Sequence, residues 1–363
     1  MDERVFRVQF GEPIPTWDGV HRLPISGHVG PECKDSATVH RINSAYMDIS
    51  EQPQMLRHWL AGGIQTAILF SSICLLFSIA LMAGHFPRVT GTPRYFNALM
   101  CFGFGIGFLY FACKFGRDEM FSLTRRPIRF NRLEKKIFAL RRRRFLSPAE
   151  KGDITWEIPW DDEAFFCIHK GPRNSEHANT YHIRCYQVDE AGNVVRGFAM
   201  GREWKDLDGL NDLLCQWNYW CQYMNEGPSN LPQPLLFLTE KEDLFESFLY
   251  CMYEEGFALS ANQRIILLPF IAWMTFHRVV ALWTCREPIW PPEVEKLSVV
   301  EDNDVYRQPA GVTPIGWAKT AQAHQTQVYP LDPRQPTLHW SGEPDGFKNA
   351  ELWRAEVAPG NQY

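Results

Sequence analysis

WLAGGIQTAILFSSICLLFSIALMA, residues 59–83, contains no charged side chain. A helix of 25 residues, rising 1.5 Å per residue, reaches roughly 37 Å, more than the hydrocarbon core of about 30 Å that a spanning helix must cross. A second uncharged run, YFNALMCFGFGIGFLYFAC at residues 95–113, gives roughly 28 Å and stops at Lys114. Between the two runs, residues 85–94 hold Pro87, Gly91 and Pro93, the composition of a tight turn. The two runs therefore predict a transmembrane helical hairpin. The first twelve residues are mixed and charged, so entry into the membrane is expected through these internal segments.

Cations set the expected orientation. Arg88 and Arg94 lie between the runs, whereas Arg41 and Arg57 precede them and Lys114, Arg117, Arg125, Arg126, Arg129 and Arg132 follow. Positive flanks stay on the cytosolic side, which places both ends of the hairpin there and predicts a multi-pass inner-membrane protein whose bulk is cytosolic. Arg125, Arg126, Arg141, Arg142, Arg143 and Arg144 form a basic collar whose charges suit anionic membrane lipids, although the same arginines read equally well as topology markers. Gly103 and Gly107 stand four residues apart on the second run and leave one helix face bare. That face is expected to pack on the first helix or on another copy of the chain, as in a homo-oligomer. A dinucleotide-binding role for these glycines is excluded by the missing strand and βαβ context.

The rest of the chain predicts α+β structure. Residues 128–133 and 136–142 read as paired strands around Glu134, residues 154–160 and 164–169 as a second pair, and residues 180–188 and 194–200 as a third. Leu207, Leu210, Leu214, Trp217, Cys221 and Met224 then recur at helical spacing until Gly227 and Pro228 end the pattern. An antiparallel sheet closed by one helix is the order of pleckstrin-homology-like domains. Further helices follow. Thr239 and Glu242 suit a capping box for a helix through Glu255. The apolar stretch 265–284 contains Pro269, His277 and Arg278, which favours a helix at the interface or against the hairpin over a third span. The expected divisions are an N-terminal cytosolic segment (1–58), the hairpin (59–113), the collar with the sheet-plus-helix domain (114–228), a helical region (229–299) and a polar, proline-rich tail (300–363).

Composition narrows the chemistry. The formal net charge of −5 offers no general reason to expect a nucleic-acid partner. Ten cysteines are scattered through apolar stretches with no C-x-x-C pair, so they read as small buried residues. Zinc-protease, serine-hydrolase and phosphate-loop signatures are absent from the sequence, and no cofactor is expected. His177, His182 and Cys185 are weak metal candidates, because alternate strand residues face opposite sides. Asp161, Asp162 and Glu163 read as a solvated turn. Trp217 fits the buried stripe, leaving Tyr219, Trp220 and Tyr223 as candidates for a partner surface.

Two motifs carry a resemblance. The run Arg126, Pro127, Ile128, Arg129, Phe130, Asn131, Arg132 and the late run Trp290, Pro291, Pro292, Glu293, Val294, Glu295, with Trp160, Asp161, the Trp217 helix, Gly227 and Pro228, resemble an uncharacterised bacterial family. In that family a two-helix membrane hairpin precedes the domain, over residues equivalent to about 50–300 here. Members resembling this chain are often encoded near type VI secretion loci, which implies a non-enzymatic role beside a delivered toxin effector, as immunity protein or accessory factor. The alternative is a membrane-anchored scaffold that binds lipid or peptide. No catalytic residue is implied by the resemblance.

Overall fold

In the computed structural model, residues 11–29, 33–35, 38–50, 57–142, 148–170, 180–232, 238, 240–256 and 261–307 are described. They form two compact units. The first takes the chain up to residue 55, residues 125–268 and residues from 287 onward; the second takes residues 56–124 and 269–286.

The first unit contains two antiparallel sheets. β1 (Val39–Ile42), β2 (Tyr46–Ser50), β3 (Pro127–Asn131), β4 (Lys136–Arg141) and β5 (Ile154–Pro159) pair in that order. β6 (Phe165–Lys170), β7 (Thr180–Val188) and β8 (Val194–Lys205) form the second sheet, and α4 (Asp206–Glu226) follows directly. Ile49, Ile128, Phe130, Ile137, Ile158, Phe166, Ile183, Phe198 and Met200 from the two sheets meet Trp217, Trp220 and Met224 of α4 in one core. Aromatic rings fill its middle: Trp160 and Phe166 both lie near Trp217, with centroids 5.6 and 5.1 Å away. Gly201 has φ +67°, and a Cβ there would sit 2.7 Å from the Trp220 ring, so only glycine lets β8 approach α4 this closely.

β1 and β2 were not anticipated. They contain only four and five residues, and β2 pairs with a strand that starts 77 positions after its own end: Ser50 opposes Pro127 and Tyr46 opposes Asn131. The N-terminal segment is therefore part of the sheet. A short helix, α1 (Thr16–Val20), and residues 24–29 and 33–35 also join this unit. Along α4, Trp217 Nε1 donates to the Pro24 carbonyl, Asn218 exchanges hydrogen bonds with the backbone of Val29, and Asn225 donates to the Ile25 carbonyl. Trp220 packs on Phe130 of β3 and Gly201 of β8, and Tyr223 donates to the Asn43 carbonyl, which brings a correction. Tyr219, Trp220 and Tyr223, expected on a partner surface, are all fully buried.

The second unit begins with α2 (Arg57–Met82) and α3 (Thr92–Glu119). The two helices pack side by side and antiparallel: Ser71 Oγ donates to the Gly105 carbonyl and Ser78 Oγ to that of Ala98, each at 2.8 Å. Arg94 reaches back to the Leu81 and Met82 carbonyls and so satisfies the C-terminal end of α2. At the other end, Arg57 donates to the carbonyls of Leu123 and Thr124, both at 2.7 Å. α5 (Leu244–Gly256) belongs to the first unit, and α6 (Ala261–Thr284) runs from the first unit into the second. The helix expected from a Thr239–Glu242 box instead starts at Leu244, where the Asp243 carboxylate accepts the Glu246 N–H at 2.7 Å; Thr239 lies outside the described residues. Where irregular structure was expected after Pro288, the described residues include α7 (Pro292–Lys296), followed by turns as far as Arg307.

α2, α3 from Thr92 to Gly116, and α6 from Ile265 to Thr284 are each long and apolar enough to cross a membrane. At the hairpin contact, the glycine that approaches α2 is Gly105. A Cβ there would lie 2.7 Å from Leu75 Cγ and 3.3 Å from the Ser71 carbonyl oxygen, whereas at Gly103 or Gly107 it would meet nothing within 4 Å. Positions two apart on a helix differ by about 200°, so Gly105 necessarily faces away from its two neighbours. Gly103 and Gly107 therefore do not approach the first helix, and of the two expected contacts only packing on another copy of the chain is left to them. Gly105→Val should weaken the α2–α3 contact by about 1–2 kcal/mol, whereas Gly103→Val and Gly107→Val should leave it unchanged. Heat-induced unfolding in mild detergent distinguishes the three.

Candidate functional site

The short helix α1 drops Asp18 onto the outward face of β6 and β7, where the carboxylate is almost completely buried. Tyr186 donates its hydroxyl hydrogen to Asp18 at 2.5 Å, and His169 Nδ1 lies 2.9 Å from both carboxylate oxygens. Arg184 donates to the Tyr186 hydroxyl oxygen at 2.9 Å and, through Nε, to His182 Nε2 at 3.1 Å. His182, Arg184 and Tyr186 alternate on β7, so one face carries these polar groups while Tyr181, Ile183 and Cys185 point into the core. The N-terminal segment is held here at both edges of the sheet: Leu23 N–H bonds to the Phe166 carbonyl, and Val194 N–H to that of Glu12.

Burial and the adjacent Arg184 guanidinium hold the His182 imidazole well below its usual range, so it stays neutral and accepts from Arg184. Burial, reinforced by Asp18, pushes the Cys167 thiol up. A carboxylate orienting a histidine is part of a nucleophilic relay, but a protonated, buried thiol is no nucleophile. The arrangement clamps residues 11–23 to the sheet. It also makes folding sensitive to acid. The folded His182 has a lower pKa than the unfolded side chain, whose ordinary value is 6.5, so stability is fully present above that pH and declines as pH falls below it. His182→Gln preserves an acceptor and should flatten that decline, as read by melting temperature against pH.

A second constellation joins the two resemblance motifs. Arg129, at the middle of β3, forms a bidentate pair with Asp48 of β2, at 2.7 and 2.8 Å. Its guanidinium lies over the Tyr46 ring at 4.0 Å and the Trp290 ring at 4.3 Å. Glu295 approaches to 3.6 Å. Burial alone would lower the Arg129 pKa, yet the Asp48 carboxylate holds it above the ordinary arginine value. Asn131 donates to the Leu297 carbonyl at 2.7 Å, while Asp153 and Ile289 exchange hydrogen bonds. The late Trp-Pro-Pro run is thereby clasped onto the first sheet, which gives both motifs a structural role.

The chain belongs to the DUF6708 family of unknown function. The family model matches residues 106–302, from the second half of α3 to beyond α7, and includes both halves of the clasp. No curated protein and no solved structure matches the chain. In this DUF6708 member, β1, β2 and α2 lie outside the match, although Asp48 of β2 supplies the partner of Arg129.

The remaining candidates are dispersed. Arg125 pairs with Glu240 at 3.6 Å, and Arg41 reaches the same carboxylate at 2.8 Å. Arg141 lies over the Trp156 ring at 4.4 Å, with Arg196 over the same ring at 4.7 Å; burial and Arg196 push its pKa down to about 9, which leaves it charged at neutral pH. Arg126 and Arg142 are half-buried, while Arg143 and Arg144 lie outside the described residues. The collar is therefore not a uniform free cationic patch. His177 also lies outside them, and His182 and Cys185 face opposite sides of β7. Among the described residues no group of three histidine, cysteine or acidic side chains could hold a metal ion. The Asp161 carboxylate accepts the Glu163 N–H at 2.9 Å, as in an ordinary turn. All ten cysteines are free; Cys33, for example, is pushed up to about 12, chiefly by burial.

Proposed function

We propose that the protein is a membrane-anchored binding protein, not an enzyme, which presents its β-rich unit at the cytosolic face of the bacterial inner membrane to handle or neutralise a toxin effector. The observation that carries the anchoring is the insertion of α2 and α3 between two directly paired strands, with Ser50 opposite Pro127. An even number of crossings between neighbouring strands returns the chain to the side it left. The cationic flanks of the hairpin favour the cytosolic side. Four strands, β2 to β5, then three, β6 to β8, then the closing helix α4 follow the pleckstrin-homology-like order and support that reading of the domain. The toxin partner is drawn from the resemblance to proteins encoded near type VI secretion loci. Production of the protein should protect cells that also make the neighbouring toxin, and the tagged chain should recover that toxin from mild detergent. Unprotected cells and no recovered toxin would refute the role.

The basic stretch after α3 favours a second reading, a scaffold for lipid or peptide. With Arg125 and Arg141 engaged internally, this reading falls on Arg142, Arg143 and Arg144. Replacing these three with glutamine should then reduce association of the full chain with anionic vesicles, at about 1 kcal/mol for each charge near the surface. Unchanged association at low salt removes the lipid version.

A further inference from the structure

α6 has its polarity inside out. Thr275, His277 and Arg278 are buried, and His277 exchanges hydrogen bonds with Gln65 of α2 at 2.8 and 2.9 Å. The opposite face exposes Ile265, Ile266, Leu268, Trp273, Phe276 and Trp283, with Trp283 81% and Ile266 76% accessible. A helix in water shows the reverse pattern. Its length and composition would allow it to cross a membrane.

Two observations exclude that crossing. Phe270 lies against Trp59 with ring centroids 5.7 Å apart, His277 lies beside Gly62, and Ala281 packs with Ala61, Ile64 and Ala67. Phe270 thus meets the first turn of α2, at the foot of the hairpin. Beyond it, Phe121 N–H donates to Thr284, and Thr124 N–H to the Arg286 carbonyl, where α3 ends. Both ends of the 270–286 stretch therefore lie at the level where the hairpin starts and finishes. Independently, the chain before α6 and the chain after it belong to the same β-rich unit: Asp153 binds Ile289, and Asn131 binds Leu297. A single span between them would place parts of one folded unit on opposite sides of the membrane.

We infer that α6 is an in-plane membrane anchor, whose exposed face of Ile265, Ile266, Leu268, Trp273, Phe276 and Trp283 sits among lipid acyl chains and headgroups beside the foot of the hairpin. Lipid is the occupant that accepts an unbroken apolar face, favours tryptophan at its boundary and already surrounds the apolar outer faces of α2 and α3. The inference rests on the membrane-anchor reading above.

The test labels single added cysteines, Thr90→Cys, Leu133→Cys and Val299→Cys, in the full-length chain. Labelling uses a membrane-impermeant maleimide polymer on spheroplasts and on inverted vesicles, scored as mass added beyond the parent chain. Leu133→Cys and Val299→Cys should shift in the same preparation, and Thr90→Cys in the other. Vesicles of phosphatidylethanolamine and phosphatidylglycerol carrying an acyl-chain diazirine should also label the peptide containing residues 265–283. Val299→Cys shifting together with Thr90→Cys would mean that α6 spans. Lipid labelling of the hairpin alone, with α6 crosslinked to protein, would mean that a protein covers this face. Either result overturns the inference while leaving the anchor intact. Thr90→Cys shifting with Leu133→Cys would overturn the anchor reading itself, and the inference with it.

Discussion

Arg129→Ala lowers the stability of the β-rich unit by about 3–5 kcal/mol, the range found when one partner of a buried ion pair is removed and the other remains. Arg129 and Asp48 are nearly inaccessible to water, so solvent screening gives little relief. The alanine variant leaves the Asp48 carboxylate without its bidentate donor and removes the cation between the Tyr46 and Trp290 rings. Trp290 is then free to detach with the Pro292–Lys296 helix. Chemical denaturation in mild detergent, followed by tryptophan fluorescence, reads the loss. Asp48→Asn combined with Arg129→Met should cost less than the sum of the single changes, because the pair is coupled. A loss below about 1 kcal/mol for Arg129→Ala would show that the clasp contributes little.

Gly152→Ala attacks the same clasp through the backbone. Gly152 has φ +68°, and a Cβ there would lie 2.6 Å from the Pro291 nitrogen and 2.7 Å from its Cα. These neighbours are main-chain atoms that cannot rotate away. The overlap should cost roughly 1–3 kcal/mol and the left-handed conformation roughly 1–2 more. Because Asp153 holds Ile289 directly beside this contact, the damage should appear as early proteolysis around residues 289–298, before cleavage within β3 or β4. Simultaneous cleavage of both regions would contradict a locally docked segment.

How legible the fold was depended on how local each signal was. The two apolar runs, the strands from β3 to β8 and the stripe on α4 are written in consecutive residues, although β8 runs five residues past its expected end and β5, expected to pair with β6, pairs with β4 in the other sheet. β1 and β2 are too short to show alternation, and the partner of β2 lies beyond the inserted helices, so nothing nearby betrays them. The same distance hid Asp18, which reaches His169 across 151 positions. Its signal was the polar face of β7, where His182, Arg184 and Tyr186 alternate with core residues. A sheet face that reads as solvated can equally be covered by a segment that brings its own carboxylate. The tyrosines and tryptophan of α4 failed as surface candidates because partners distant in sequence bury them: Trp220 packs on Phe130 and Gly201, and Tyr223 binds the Asn43 carbonyl. Glycine spacing also misled: Gly103 and Gly107 form the familiar pair, yet the helix rotation set by Ser71 and Ser78 turns Gly105 inward.

The most direct test of membrane anchoring by the inserted hairpin is alkaline carbonate extraction of membranes from cells that make the full-length chain, followed by sedimentation. The expected result is that the protein stays with the lipid pellet, as an integral protein does. Complete release into the supernatant would contradict the insertion of α2 and α3 into a bilayer.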